Sequence, residues 1–439
     1  MAAYGEMRVR SAGTGWVRGL AALVLSAVLP GCGVTGSGAA SATHGAAGGT
    51  AVSVKARAKA TDYGIVRTAG HKTWAFIERM EHRAASFPDE ASRPNGRQRE
   101  DAIVAAFGTE RPASRVVLLH AMPGWDRKGE VPVLLVHGAL ADADSAWMAP
   151  HGKQGLAPWL AARGRAVFAV TFAHRHGDNL LQAEHVAGAL ARIRELTGAS
   201  RVDVVAHSKG VAAVRALASG VRMPWCRAYG GDIRKLVLLG GPLLGIDYTY
   251  RHPSVHFGLV PELDHPLRNA PTAWERMVVF GMWKDIGAQS FMTDRGNCFP
   301  GQAQLLHRWD KRFPLSAMEP DVHATYHGGK GLISESRGID AAIEAGGRFI
   351  ERLRRHPLPK GLDVAVAAGD RATMTTVLNE TDGPSDGVVF VESATHVEDL
   401  LAAGADLVTR DVLPVNHMEL LYHPRSQAWL ADVLARPEL

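Results

Sequence analysis

The chain has 439 residues, 46% hydrophobic and 21% charged, which is enough apolar material for a sizeable core and unlike the composition of a disordered protein. The formal charge of +5 is concentrated at one end: residues 1 to 60 carry six Lys and Arg against Glu6 alone, and the rest balances 43 basic against 43 acidic residues. A neutral body gives no reason to expect a nucleic-acid partner.

The chain opens with Arg8, Arg10 and Arg18, then an apolar run from Gly19 to Leu29, then Leu29-Pro30-Gly31-Cys32. Positive charge followed by an eleven-residue apolar run reads as an export signal over 1–32, since the run is too short for a membrane-spanning helix. The last four residues resemble the lipobox of bacterial lipoproteins, which implies lipidation of Cys32 and attachment to a membrane. Pro30 departs from the usual Ala or Ser, so ordinary cleavage near Ala40 or Ala42 stays open. Residues 33–61 are Gly, Ala, Ser and Thr with few large apolar side chains, and read as a flexible linker.

Residues 62–130 read as an N-terminal extension that packs on the domain over 131–439. Its apolar patterns around Trp74-Ile77-Met80 and Ala102–Phe107 are expected to cover an edge or face of a sheet. Strands are expected at Arg115–Met122 and Val131–Val136, and the turn-like Pro123–Gly129 between them reads as a hairpin. A strand comes next at Arg165–Phe172, then a helix at Leu181–Thr197 with Val186, Leu190 and Ile193 on one face and Gly198 to stop it. The most informative stretch is Arg201–Gly220: Val202, Val204 and Val205 mark a buried parallel strand, and Val211–Ala218 a buried helix. Between them stands Ala206-His207-Ser208-Lys209-Gly210, in which small residues flank a serine at two removes on either side. That is what a nucleophile elbow needs, since strand and helix must approach closely while the hydroxyl is pushed outward.

Further strands are expected at Ile233–Leu239 and Leu362–Ala368, and a closing helix at Ser426–Leu434. Between Tyr248 and about Pro359 strand signals thin out. There Ala273–Ile286, rich in Trp, Met and Phe, reads either as a lid over an apolar pocket or as an ordinary buried helix.

The elbow, the strand ending in His137-Gly138, the Pro384-Ser385-Asp386-Gly387-Val388-Val389 stretch and Asn416-His417 together resemble the α/β-hydrolase superfamily and, within it, the bacterial lipases. The resemblance implies a mostly parallel central sheet flanked by helices, occupying 131–439, with a mainly helical cap inserted at about 248–360. It also implies a Ser-His-Asp triad in the chain order serine, acid, histidine. Ser208 is then the nucleophile, His417 the base and Asp386 the acid, with Asp370 at the end of its strand as the alternative acid. The amides of Lys209 and Ala139 would form the oxyanion hole, and His137 would be structural.

These residues predict an exported ester hydrolase of lipase or carboxylesterase type that works through a covalent acyl-enzyme and needs no cofactor. The expected substrate is an ester, lipid or otherwise acylated. An acyltransferase, a polyester depolymerase and a non-catalytic surface binding protein remain the alternatives. His174-x-His176-x-Asp178 and His252-x3-His256, with Asp264 and His265, are read as exposed loop residues rather than metal ligands, and Asp142 and Asp144 as a capping loop. With Cys32 used by lipid, Cys226 and Cys298 can form a disulfide closing a loop of about 70 residues and worth roughly 2 to 4 kcal/mol. Two buried free thiols are the alternative.

Overall fold

The computed structural model describes residues 62–69, 73–90, 98–224, 226–252, 300–319, 322–330, 335–372 and 383–439. The leader, the linker, Cys32, Cys298, His256, Asp264, His265 and the Ala273–Ile286 lid candidate lie outside them.

A nine-stranded sheet organises the molecule. Its strands are β1 (Tyr63–Ala69), β2 (Phe76–His82), β3 (Val116–Ala121), β4 (Val133–Val136), β5 (Val167–Phe172), β6 (Val202–His207), β7 (Ile233–Leu239), β10 (Asp363–Gly369) and β11 (Asp406–Leu413). Two short strands, β8 (Gly329–Lys330) and β9 (Glu335–Ser336), pair apart from it. Across the sheet the order is β1-β2-β3-β5-β4-β6-β7-β10-β11. β1, β2, β3 and β5 run antiparallel in succession, and every neighbour from β5 to β11 is parallel.

The expected hairpin between β3 and β4 does not form. β5 lies between them, antiparallel to β3 and parallel to β4. The physical reason is burial: β4 is apolar and covered throughout, so it needs a neighbour on each side, and the return through helix α2 (Leu156–Ala161) supplies β5. The Trp74–Met80 pattern folds as strand and widens the sheet edge, while α1 (Asp101–Phe107) covers a face.

Alternation along the strands divides the core into two layers. Val204 and Ala206 face α3 (Asn179–Thr197) and α4 (Lys209–Ala218) with Leu134, Phe168, Val186, Leu190 and Val214. Val205 faces the other way, toward Trp147, Leu156, Leu160 and, from the C-terminal helix, Leu430 and Val433. Asp178 caps α3 by accepting from the amides of Leu180 (2.7 Å) and Leu181 (3.3 Å), and Gly198 ends it at φ 74°.

Between β7 and β10 the regular structure of the described residues is mostly helical and includes α5 (Val322–His327), α6 (Gly338–Ala345) and α7 (Phe349–Arg354). Tyr250, Leu306, Tyr326 and Ile339 make a small core of their own, but Phe349, Ile350 and Leu353 join the main one. The last helix, α8, spans Pro424–Ala435, with His423 at its entry. No helix among the described residues is long and apolar enough to cross a membrane.

Candidate active site

Ser208 is the single residue between β6 and α4, and it stands at φ 54°, ψ −128°. A side chain in the left-handed region costs on the order of 1 kcal/mol or more, so the turn must be over-determined by its surroundings. Its amide donates to the Leu239 carbonyl at 2.9 Å, and its own carbonyl accepts from Val211 at 3.0 Å. Two glycines permit the close packing. A Cβ on Gly210 would lie 2.5 Å from the His137 carbonyl oxygen, and one on Gly138 would lie 2.8 Å from Ser208 Cβ. The loop after β4 therefore passes directly beside the serine.

His137 shapes that loop. The Phe172 amide donates to its Nε2 at 3.3 Å, so the proton sits on Nδ1, which donates to the Gly138 carbonyl at 2.7 Å. Burial pulls the pKa of His137 down to about 4, which keeps the ring neutral and preserves one donor and one acceptor. In a trans peptide the amide points opposite to the carbonyl, so pinning Gly138 O directs the Ala139 N–H away from the ring.

Asp386 and His417 meet at the C-terminal edge of the same sheet. Asp386 is fully buried; its Oδ1 accepts from the amides of Val388 (3.0 Å) and Val389 (2.8 Å), and its Oδ2 lies 2.7 Å from His417 Nδ1. The His417 amide also donates to the Asp386 carbonyl at 2.9 Å. A carboxylate held by two amides against an imidazole orients that imidazole and selects its tautomer. Asp370 is exposed at the end of β10, and the carboxylate that reaches His417 is that of Asp386.

Three supports escaped sequence reasoning. His207, next to the serine, lies 4.6 Å ring to ring from His417 and donates through Nε2 to its carbonyl at 3.0 Å. Asn416 caps the turn after it, its Oδ1 accepting from Met418 (3.0 Å) and Glu419 (2.9 Å) while Glu419 accepts from the Asn416 amide at 2.9 Å. The Asn-x-x-Glu spacing is a capping-box signal and could have been read. Gly240, at φ 54°, packs so tightly that a Cβ there would sit 3.1 Å from both Asp386 Oδ2 and His417 Nδ1.

The remaining candidates fall elsewhere. His174 accepts from the His176 amide at 3.0 Å, His176 Nδ1 lies 2.6 Å from Gln302, and Asp178 is the α3 cap, so all three serve a hydrogen-bonded network. Both histidines, like His252, are buried, not exposed as expected, and the chain returning at Pro300 covers His176. Asp142 caps its loop by accepting from the Ser145 amide at 2.8 Å, and Asp144 accepts from Trp74 Nε1 at 2.5 Å. Cys226 is a buried free thiol whose pKa burial pushes up to about 12. Its expected partner Cys298 lies outside the described residues.

A mostly parallel sheet covered by helices on both faces, with a sharp strand-to-helix turn carrying a serine and a later acid and histidine meeting at its edge, decides the architecture. The fold is that of the α/β-hydrolases. Residues 130–234, the stretch holding β4 to β7 and the serine turn, match the family model described as lipase (class 2). Among solved structures, a mature-form lipase of Bacillus licheniformis is 13% identical, covering 70% of this chain and 93% of its own at a TM-score of 0.37. An α/β-hydrolase fold protein of Burkholderia ambifaria is 19% identical, with 73% and 94% covered and a TM-score of 0.34. A search of curated protein sequences finds no match. Beyond β2, the β1 strand extends the antiparallel edge of the sheet.

Proposed function

We propose that the protein is a serine ester hydrolase of the lipase or carboxylesterase type. The observation that carries this reading is the buried Asp386–His417 pair at 2.7 Å, set on the same sheet edge as the strained Ser208 turn. The lipase family match over 130–234 supports the same substrate class, an acyl ester.

In this mechanism the Ser208 hydroxyl attacks the ester carbonyl as His417 Nε2 takes its proton, and Asp386 stabilises the imidazolium through Nδ1. The carbonyl oxygen, now an oxyanion, accepts from the amides of Ala139 and Lys209, each donor being worth roughly 3 to 4 kcal/mol of barrier. His417 then gives the proton to the leaving alkoxide. Water, deprotonated by the same histidine, releases the carboxylic acid from the acyl-enzyme and restores the serine. The leader and Cys32 complete the proposal: an exported enzyme attached to a membrane by lipid on Cys32.

The test is hydrolysis of nitrophenyl esters of increasing chain length by the full-length protein beside Ser208→Ala. Hydrolysis by wild type with a rate loss on the order of a millionfold in the variant supports the triad. Equal inertness of the two across the series rejects ester hydrolysis.

A further inference from the structure

Ester hydrolysis by this triad uses only the backbone amide of Lys209, yet the Lys209 side chain is 2% exposed beside the candidate nucleophile. An ammonium so placed has lost its hydration, a loss that must be offset by partners that hold and counter-charge it. Its Nζ donates to Gln182 Oε1, on the first turn of α3, at 2.5 Å. On its other side lies Gly301, of the short helix Pro300–Ala303. A Cβ on Gly301 would come within 2.3 Å of Lys209 Cε, 2.7 Å of its Nζ and 1.9 Å of the Gly177 carbonyl oxygen. Gly301 itself donates to the His176 carbonyl at 2.9 Å.

Carboxylates complete the surround. Glu90 Oε1 accepts from the Asp178 amide at 2.8 Å, and Glu90 Oε2 would lie 2.8 Å from a Cβ on Gly177. Asp178 Oδ2 accepts from Gln304 at 2.5 Å. The charges of Glu90 and Asp178 favour the ammonium, while His137, His174, His176 and Arg175 face the same region as neutral rings and one further cation. Four segments thus meet around Lys209: the stretch before α1, the loop after β5, α3, and the chain returning at Pro300–Gln304.

Resting on the ester-hydrolase reading, we propose that Lys209 is a positioning residue: its buried ammonium, anchored on Gln182 and counter-charged by Glu90 and Asp178, holds the first peptide of α4 where its amide receives the oxyanion. The same contacts tie that peptide to the Pro300–Gln304 segment. Burial pulls the pKa of Lys209 down to about 7, against the opposing pull of Glu90 and Asp178, while burial and the neighbouring Asp178 charge push Glu90 up to about 7, so that the two titrate over the same range as a coupled pair. The charge is therefore present below that value and lost as pH rises through it, so kcat acquires an alkaline limb far below the range of an ordinary lysine.

The test uses the full-length protein with nitrophenyl butyrate, reading kcat and KM from about pH 6 to about pH 10 for wild type, K209M and E90Q. Melting temperature and fluorophosphonate labelling of Ser208 are measured in parallel. Expected for K209M is a kcat roughly tenfold lower or more near pH 6.5, KM within about twofold, and a profile without the alkaline limb. E90Q, isosteric and lacking the counter-charge, moves the limb to lower pH. The inference is overturned if K209M keeps the wild-type kcat and profile, or if it loses stability while its folded fraction retains both. If K209M does not fold, E90Q decides alone, and an unmoved limb overturns the proposal. Failure of the wild type to hydrolyse or to label defeats the ester-hydrolase reading itself, whereas an active, labelled wild type with no alkaline limb defeats only this inference.

Discussion

Each residue around Ser208 is held by a partner that can be removed singly. Asp386→Asn keeps the shape of the buried pair but offers an amide where His417 Nδ1 needs an acceptor, so kcat is expected to fall by about 10⁴ with the melting temperature little changed. Steady-state kinetics alongside thermal unfolding checks both halves. His137 works at one remove: His137→Phe fills the same space beside Phe172 but cannot donate to the Gly138 carbonyl, freeing the Ala139 peptide to rotate. The expected result is a kcat loss of roughly ten- to a hundredfold with KM nearly constant, as for partial loss of one oxyanion donor. A matching rise in KM would show that His137 shapes substrate binding instead.

Among the elements, the serine turn and the Asn416 turn carry the most consequence for the site. Gly210→Val would drive side-chain atoms into the His137 and Val136 carbonyls, 2.5 and 2.7 Å from the missing Cβ, so α4 would have to lift from β4. Destabilisation of roughly 3 kcal/mol or more is expected, seen as a lowered denaturation midpoint and loss of fluorophosphonate labelling. Asn416→Ala removes a cap that orders the backbone just after His417. It should cost about 1 kcal/mol of stability, measured by urea unfolding, and lower kcat further than that loss of stability accounts for.

Over the whole molecule, histidines buried as neutral rings make stability depend on pH. His120 is pulled down to about 3, and His137, His174 and His185 to about 4, in each case chiefly by burial. In the unfolded chain these rings take up protons near the ordinary value of about 6.5, whereas in the fold they stay neutral. Stability is therefore full above about pH 6.5 and is lost as pH falls toward 4, by about 2 kcal/mol per ring at pH 5. A melting temperature unchanged between about pH 7.5 and about pH 5 would contradict this neutral burial.

What the sequence by itself determined lies where local chemistry decides. The apolar run of β7, the α3 helix stopped by Gly198, and the strand-turn-helix around Ser208 were legible because alternation, capping and small residues act within a few positions. Asp386 and His417 were legible by chain order and resemblance, since 31 residues of separation carry no local signal. Only the tertiary structure decided that β5 inserts between β3 and β4, because a turn-like stretch looks the same whether the chain folds back or crosses over. It set the Asp386 carboxylate against His417 and left Asp370 exposed, and it alone buried the Lys209 ammonium among Gln182, Glu90 and the Pro300 segment. Burial and charge pairing are sums over neighbours distant in the chain, and they exist only once those neighbours have met.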